Sequence, residues 1–96
     1  MERTPAVSLG DILRQTIEDT ELSRQLDETR AIQAWPVVIG AQIAARSPRP
    51  EVKRGVMTVR VYDATLRQEL HMMRSSIARA VNKVVGKEVI TDIRFR

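Results

Sequence analysis

The segment GVMTVRVYDATLRQELHMMRSSIARAVNKVVG, residues 55–86, contains the clearest structural pattern in this chain. Its first part alternates apolar and polar residues, as a half-buried strand does. We expect Met57, Val59 and Val61 to face a core, and the residues between them to face outward. The segment therefore begins with a strand over 56–62.

The rest of this segment has a helical repeat. Asp63 is a good N-cap, and apolar residues then recur at steps of three and four. They are Leu66, Leu70, Met73, Ile77, Val81 and Val84. The spacing predicts one long amphipathic helix over 64–85, and Gly86 is placed to end it as a left-handed C-cap.

The last nine residues, EVITDIRFR, alternate again and predict a second strand over 88–96. One face would carry Val89, Thr91, Ile93 and Phe95, and the other Ile90, Asp92, Arg94 and Arg96. Upstream, the prolines of RSPRPEVKRG are typical of edge strands and turns. We expect an edge strand or extended arm near 47–53 and a turn at Arg54-Gly55.

The N-terminal third of the chain is predicted to be helical. Ser8 is placed to cap a helix over about 9–19, with Asp11 three residues later. Thr20 is in position to cap a second helix, because Glu21 follows in what would be its first turn. An apolar stripe continues from this second helix toward Trp35.

Trp35 is the only tryptophan, and a proline follows it directly. Pro36 implies either a kinked helix or a new helix with proline in its first turn. Trp35, Ile39 and Ile43 then share one face. We interpret Trp35 as a structural residue of the core, and Gly40 as a structural glycine that lets a neighbouring element approach closely.

The elements have the order α-α-β-β-α-β, which predicts a single α+β domain over residues 1–96. Helices would cover one face of a small three-stranded sheet. The other face would carry Arg60, Tyr62, Arg94 and Arg96.

The composition argues against most chemistry. The chain lacks cysteine, and its one histidine, His71, has no partner for a zinc site, so we expect no metal and no cofactor. No phosphate-binding glycine loop or nucleophile elbow is present, and we expect no enzymatic activity and no small-molecule substrate. No apolar run is long enough to cross a membrane, and the N-terminus lacks a signal-peptide core. We expect a cytoplasmic protein.

Charge divides the chain into two halves. Residues 1–45 carry a net charge of −3 and residues 46–96 one of +7, with arginine far more frequent than lysine. Arginine suits phosphate recognition, so we expect the second half to bind nucleic acid, mainly through electrostatics. The candidate residues are Arg46, Arg49, Lys53, Arg54, Arg60, Arg67, Arg74, Arg79 and Lys83. The alternative is a solvated surface with uneven charge.

Four motifs in order resemble the DciA-like family, once catalogued as a domain of unknown function. They are the W-x-x-V-x-G helix at 35–40, the strand after Gly55, the L-x-x-E-L helix start at 66–70 and the closing I-x-F-R strand at 93–96. The similarity is closest to the short form typical of Bacteroidetes-type bacteria. This resemblance implies a KH-like fold, although the G-x-x-G loop of true KH domains is missing.

The resemblance also implies a function, which is to assist loading or activity of the bacterial replicative helicase, with affinity for DNA. We expect that DNA to be single-stranded and bound without sequence preference. The expected helicase contacts are Glu18, Asp19, Glu21, Asp27, Glu28 and Met72. Two alternatives stay open: a KH-like RNA-binding or ribosome-associated module, and an interaction domain with no role in nucleic-acid binding.

Overall fold

The computed structural model describes residues 8–96, so the first seven residues of the expected domain lie outside the described part. The elements are α1 (Leu9–Ile39), α2 (Ala41–Ala45), β1 (Glu51–Lys53), β2 (Val56–Val59), α3 (Ala64–Met72), α4 (Arg74–Val85) and β3 (Asp92–Phe95). The predicted α+β class and element order are confirmed, with the second-half helix divided into α3 and α4. Within the described residues, no helix is both long and apolar enough to cross a membrane.

The three strands form one sheet in the order β1-β2-β3. β1 runs antiparallel to β2 and pairs Val52 with Met57. β2 runs parallel to β3 and pairs Met57 with Ile93 and Val59 with Phe95. Since paired residues point to the same face, these five side chains form one face, and all five are buried.

Three helices contact the sheet. α1 contacts β1 and α4, while α3 and α4 contact β3. Trp35 of α1 is only 2% exposed, and its ring centroid lies 6.1 Å from that of Phe95. The Trp35 side chain therefore packs α1 against the sheet as part of the core.

α1 is a single helix of 31 residues, so the prediction of a second helix capped by Thr20 is wrong. Ser8 does cap α1, because its hydroxyl accepts a hydrogen bond from the Asp11 N–H. The Thr20 hydroxyl instead donates to the carbonyl of Thr16, 2.8 Å away. No proline or glycine interrupts the helix between Gly10 and Pro36, so nothing forces a break at Thr20.

Pro36 lies inside α1, which continues for three more residues and ends at Ile39. Gly40 then has φ +94°, a backbone conformation that side chains with a Cβ rarely adopt. A Cβ at Gly40 would have no neighbouring atom within 4 Å. The expected close approach at Gly40 is therefore wrong, and glycine is required there by backbone geometry at the α1–α2 corner.

The predicted helix over 64–85 is interrupted at Met73. Asp63 caps its first part as predicted, accepting from the N–H groups of Thr65 and Leu66, and Gly86 ends α4 in the left-handed conformation. At the break, the Met73 N–H bonds to the carbonyl three residues earlier, a tighter turn than an α-helix makes. Both Met73 and the last residue of the predicted stripe, Val84, are about half exposed rather than buried.

The strand predicted over 88–96 is shorter than expected, because β3 begins at Asp92. Ile90, placed on the outer face by simple alternation, is 1% exposed. The reason is Asn82 of α4, whose side chain accepts from the N–H groups of Val89 and Ile90 and donates to the Ile90 carbonyl. These three hydrogen bonds hold the loop before β3 against α4. Buried and exposed residues therefore do not alternate in this loop as they would in a regular strand.

Candidate nucleic-acid and partner interfaces

The outer face of the sheet is exposed at one end, while Val56 and Thr58 on the same face are half-buried. The strand predicted over 56–62 ends at Val59, but burial still alternates beyond it, so Val61 is buried while Arg60 and Tyr62 are exposed. Arg94 and Arg96 are exposed on the neighbouring strand. We call Arg60, Tyr62, Arg94 and Arg96 the sheet-face patch, and its predicted placement on the outer face is confirmed.

Backbone hydrogen bonds place two of these arginines side by side. The Arg96 N–H donates to the Val59 carbonyl at 3.0 Å, and the Arg96 carbonyl accepts from Val61 at 2.8 Å. This alternation is that of a parallel ladder, in which Arg96 lies opposite Arg60. One row earlier, Arg94 lies opposite Thr58. The patch therefore occupies two adjacent strands.

Tyr62 adds an aromatic surface at the edge of these charges. Its side chain is 68% exposed, and the guanidinium of Arg60 lies 5.2 Å from its ring centroid. This distance is within the range of a cation–π contact. Among the described residues, no acid forms a salt bridge with Arg60, Arg94 or Arg96.

A second set of cations follows the β1 edge. Arg49, Lys53 and Arg54 are exposed, and Arg54 has φ +52° in the tight turn between β1 and β2. Arg46 is the C-cap of α2 and precedes Arg49 by three residues in the sequence. We call Arg46, Arg49, Lys53 and Arg54 the hairpin group.

The hairpin group does not lie on a purely basic surface. Lys53 and Arg54 line an open groove together with Arg24, Gln25 and Glu28 of α1. Glu28 was expected to bind a protein partner and the two cations to bind DNA. The structure thus places residues from both predicted surfaces along one groove.

Two predicted DNA contacts are engaged within the fold. Arg67 is half-buried and donates to the carbonyl of Val61 at 2.7 Å. Arg74 donates to the His71 carbonyl at 3.1 Å and lies 3.5 Å from the Asp92 carboxylate. Both side chains therefore stabilise the ends of strands and helices.

Arg79 and Lys83 are exposed on the outer side of α4. Arg79 donates to the Ser76 hydroxyl at 3.3 Å. Both residues border a shallow groove with Gly86, Lys87 and Glu88. This location is on a helix, away from the sheet-face patch.

The first half of α1 extends away from the rest of the molecule. Every residue from 9 to 26 is exposed, and the molecule measures 69 × 21 × 20 Å. We call residues 9–26 the arm, which is about 27 Å long at 1.5 Å per residue. It exposes a set of large apolar side chains, namely Leu9, Ile12, Leu13, Ile17, Leu22 and Leu26.

The arm also carries three of the acids expected to contact a partner. Glu21 is paired with Arg24, and Asp19 accepts from the Gln15 amide at 3.2 Å. Glu18 has no partner among the described side chains. The arm is therefore an exposed helix with apolar residues and an excess of acids.

The other expected partner contacts lie elsewhere. Asp27 is 17% exposed and pairs with Lys87 at 2.8 Å, which connects α1 to the loop after α4. Met72 is 74% exposed beside the break between α3 and α4, next to the exposed Met73. The six candidates thus do not form one continuous surface.

The described residues contain no group of three or more metal-ligating side chains. His71 is exposed and lies 3.1 Å from an Arg74 nitrogen.

Arg94, Arg96 and Tyr62 are absent from the predicted set of binding residues. Their position on the outer face was predictable from alternation, but their closeness to Arg60 depends on the parallel register of β2 and β3. A positive residue every second position in the last strand was the available signal.

A family model described as "Dna[CI] antecedent, DciA" matches residues 8–95. Proteins named "UPF0232 protein" from Mycobacterium ulcerans (strain Agy99) and Mycobacterium marinum (strain ATCC BAA-535 / M) are each 26% identical to this chain over 87 residues. The alignment covers 91% of this chain and 46% of each relative. The chain therefore spans about half the length of the curated relatives it matches.

Proposed function

Because the chain belongs to the DciA family, we propose that it is a non-enzymatic accessory protein of DNA replication. In this role it binds DNA and assists the loading or activity of the replicative helicase. The observation that carries the proposal is the family match over residues 8–95, which includes the arm and the whole sheet. The KH-like fold and the action of residues 1–96 as one domain are part of the same proposal.

The arm is the proposed contact for the helicase. Its large apolar side chains are 49–72% exposed, and within the described residues the arm lacks the packing of an apolar face from which most helices in proteins gain their stability. Docking on a partner removes that apolar surface from water, which is favourable at about 25 cal/mol per Å². With four acids against two arginines, the arm fits an apolar groove with a basic rim.

One stripe of the arm is the better candidate. Leu13 and Ile17 lie five helical turns before Ala31 and Trp35, so they share the face that packs in the core. Leu22 and Leu26 lie near the opposite face. We assign the helicase contact to the stripe of Leu13 and Ile17, flanked by Glu18 and Glu21.

The test is a measurement of complex mass by light scattering, using the full chain and the replicative helicase of the same organism. We expect a defined complex, and we expect the Leu13→Ser/Ile17→Ser variant to lose it. The Leu22→Ser/Leu26→Ser variant is the matched control, with the same chemistry on the other side of the helix. No complex with the unmodified chain, with or without single-stranded DNA, contradicts the helicase proposal.

The same measurement on the chain alone tests whether the arm mediates self-association. A mass twice that of the chain, lost in the Leu13→Ser/Ile17→Ser variant, would assign the stripe to self-association instead.

DNA binding is proposed for the basic second half of the chain. The exposed members of the predicted set are the hairpin group, Arg60, Arg79 and Lys83, and their guanidinium and ammonium groups suit phosphate oxygens. Replacing the hairpin group with alanine is expected to weaken DNA binding and reduce its salt dependence. A competition between single-stranded DNA and RNA of the same sequence tests the RNA-binding alternative, which a strong preference for RNA would favour.

A further inference from the structure

We infer that the sheet-face patch is a binding platform for single-stranded DNA, in which the arginines contact phosphates and Tyr62 stacks on a base. This inference rests on the proposed DNA binding and assigns it to one surface. The platform consists of Arg60, Tyr62, Arg94 and Arg96.

The patch contains the residue types that bind single-stranded DNA. Proteins that bind single strands without sequence preference combine a positively charged track with exposed aromatic rings. The patch places three guanidiniums on two neighbouring strands, with the ring of Tyr62 68% exposed beside them. Tyr62 is the one exposed aromatic side chain of the described chain, since Trp35 and Phe95 are buried.

The like charges of the patch are unfavourable for folding. Arg60 and Arg96 lie directly opposite each other on paired strands, and like charges in this position destabilise a sheet. At the other end of the same face, Asp92 is compensated by Arg74. The sheet thus pairs its charges at one end and leaves three cations together at the other, as a site for an anion requires.

Arg60 and Tyr62 are also in contact with each other. With the guanidinium 5.2 Å from the ring centroid, the cation and the ring are held on the same side of the sheet. The guanidinium lies over one face of the ring, so a base that stacks on the other face has a positive charge close to its phosphate. Bases in a duplex are already stacked on each other, so this contact favours a single strand.

The hairpin group is the competing location. Its cations border Glu28 in a shared groove, and the described part of the chain places no exposed aromatic side chain among them. Electrostatic contact is possible there, but the stacking that distinguishes a single strand from a duplex is not. The two surfaces therefore differ in a property that an experiment measures.

The experiment measures the binding of the full chain to a fluorescent oligothymidylate of about 20 nucleotides, longer than the ~4–16 nucleotides that one small domain covers. Anisotropy is recorded at several salt concentrations, with a duplex of the same length as comparison. The variants are Arg94→Ala/Arg96→Ala, Tyr62→Ala and Tyr62→Phe. Arg79→Ala/Lys83→Ala removes two exposed cations of the same proposed DNA-binding set from α4 and is the comparison variant with an equal loss of charge. Thermal unfolding of each variant verifies that it is folded.

We expect Arg94→Ala/Arg96→Ala to weaken binding and to lower the slope of log affinity against log salt by about 1.4, or ~0.7 for each phosphate contact. Tyr62→Ala is expected to weaken single-strand binding by about 5- to 150-fold, the range of base–aromatic stacking. Tyr62→Phe should keep that affinity, because the ring remains. Arg79→Ala/Lys83→Ala should have a smaller effect than the patch variant.

Two results overturn the inference while leaving DNA binding intact. One is unchanged affinity in Arg94→Ala/Arg96→Ala and in Tyr62→Ala while Arg79→Ala/Lys83→Ala, or the alanine variant of the hairpin group described above, loses it, which places the site elsewhere. The other is equal affinity for duplex and single strand with no effect of Tyr62→Ala, which makes the patch a general anion surface. Failure of the unmodified chain to bind any DNA at low salt overturns both this inference and the proposed DNA binding.

Discussion

Ile17 and Trp35 occupy the same face of the same helix, five turns apart, yet one is 64% exposed and the other 2% exposed. Between Ile17 and Ala31 this face carries polar residues, Glu21, Arg24 and Glu28 among them, so the apolar residues of the arm are separated from those of the second half of α1. Only the second half has a sheet and α4 opposite it. The apolar residues of a helix determine which of its sides can pack, whereas the other elements of the fold determine whether that side is buried.

The largest expected difference between the two regions is in stability. Trp35→Ala should lower the free energy of unfolding by about 3–5 kcal/mol, because it removes a large ring from a packed core. Ile17→Ala on the arm should change it by less than about 0.5 kcal/mol, as exposed substitutions do. Urea denaturation followed by circular dichroism measures both, and a large loss for Ile17→Ala would contradict an uncovered arm.

Trp35→Phe sharpens this test. The indole N–H of Trp35 is buried without a hydrogen-bond partner, so phenylalanine removes an unsatisfied donor while keeping an aromatic ring near Phe95. We expect its cost to be clearly smaller than that of Trp35→Ala. Equal costs would mean that packing depends on the full indole.

A smaller effect is expected at Asn82, which holds the packed region together without being apolar. Asn82→Ala leaves two N–H groups and one carbonyl in the loop before β3 without their partners. We expect a loss of about 2 kcal/mol, since unsatisfied buried polar groups cost ~1–3 kcal/mol each and this loop retains some access to water. Gln15→Ala, which removes an amide hydrogen bond on the arm, is the control and should have almost no effect in the same urea titration.

The smallest effect is expected where the arm leaves the packed region, at the Asp27–Lys87 ion pair. A double-mutant cycle with Asp27→Asn and Lys87→Gln should give a coupling energy of about 0.5–1 kcal/mol that decreases with salt, because Lys87 is largely in water. The intrahelical pair Asp11–Arg14 on the arm should give less than about 0.5 kcal/mol. A larger coupling on the arm than at Asp27 would contradict this ranking.

Most of the fold was predictable because its signals are local. The N-caps Ser8 and Asp63, the turn at Arg54-Gly55 and the C-cap Gly86 each act through residues close in sequence. The strand pattern of Met57, Val59 and Val61 needs only alternation. These features depend on short-range geometry, which the order of residues contains directly.

The errors in the fold have long-range or competing causes. Thr20 has the chemistry of a cap, but its hydroxyl bonds within a helix that nothing interrupts. Ile90 is buried because Asn82, distant from the strand pattern, fixes the backbone around it. No proline or glycine lies at the break near Met73, so the sequence contains no signal that predicts it.

The sequence predicted the candidate sites only as a set of charged residues, without their arrangement in space. Arg67 has the same charge as Arg60, but its guanidinium bonds to the Val61 carbonyl while Arg60 remains exposed. The grouping of Arg60 with Arg96 depends on strand register, which alternation alone does not fix. Likewise Asp27 and Glu18 are both acids of α1, and only their distance from Lys87 separates a paired residue from an exposed one.

The parallel pairing of β2 with β3 has a consequence for the order of folding. The β1–β2 hairpin closes through a tight turn. Val56 and Asp92 are separated in the sequence by α3 and α4, and they pair only after this long segment has folded back on the sheet. Such non-local pairing is slow, because the entropy of closing a long loop is lost before the contacts form. We therefore expect β3 to join the sheet late, so that Arg94 and Arg96 come beside Arg60 only as the chain becomes fully native. A chain that is still partly unfolded would carry every one of these cations and yet lack the surface they form.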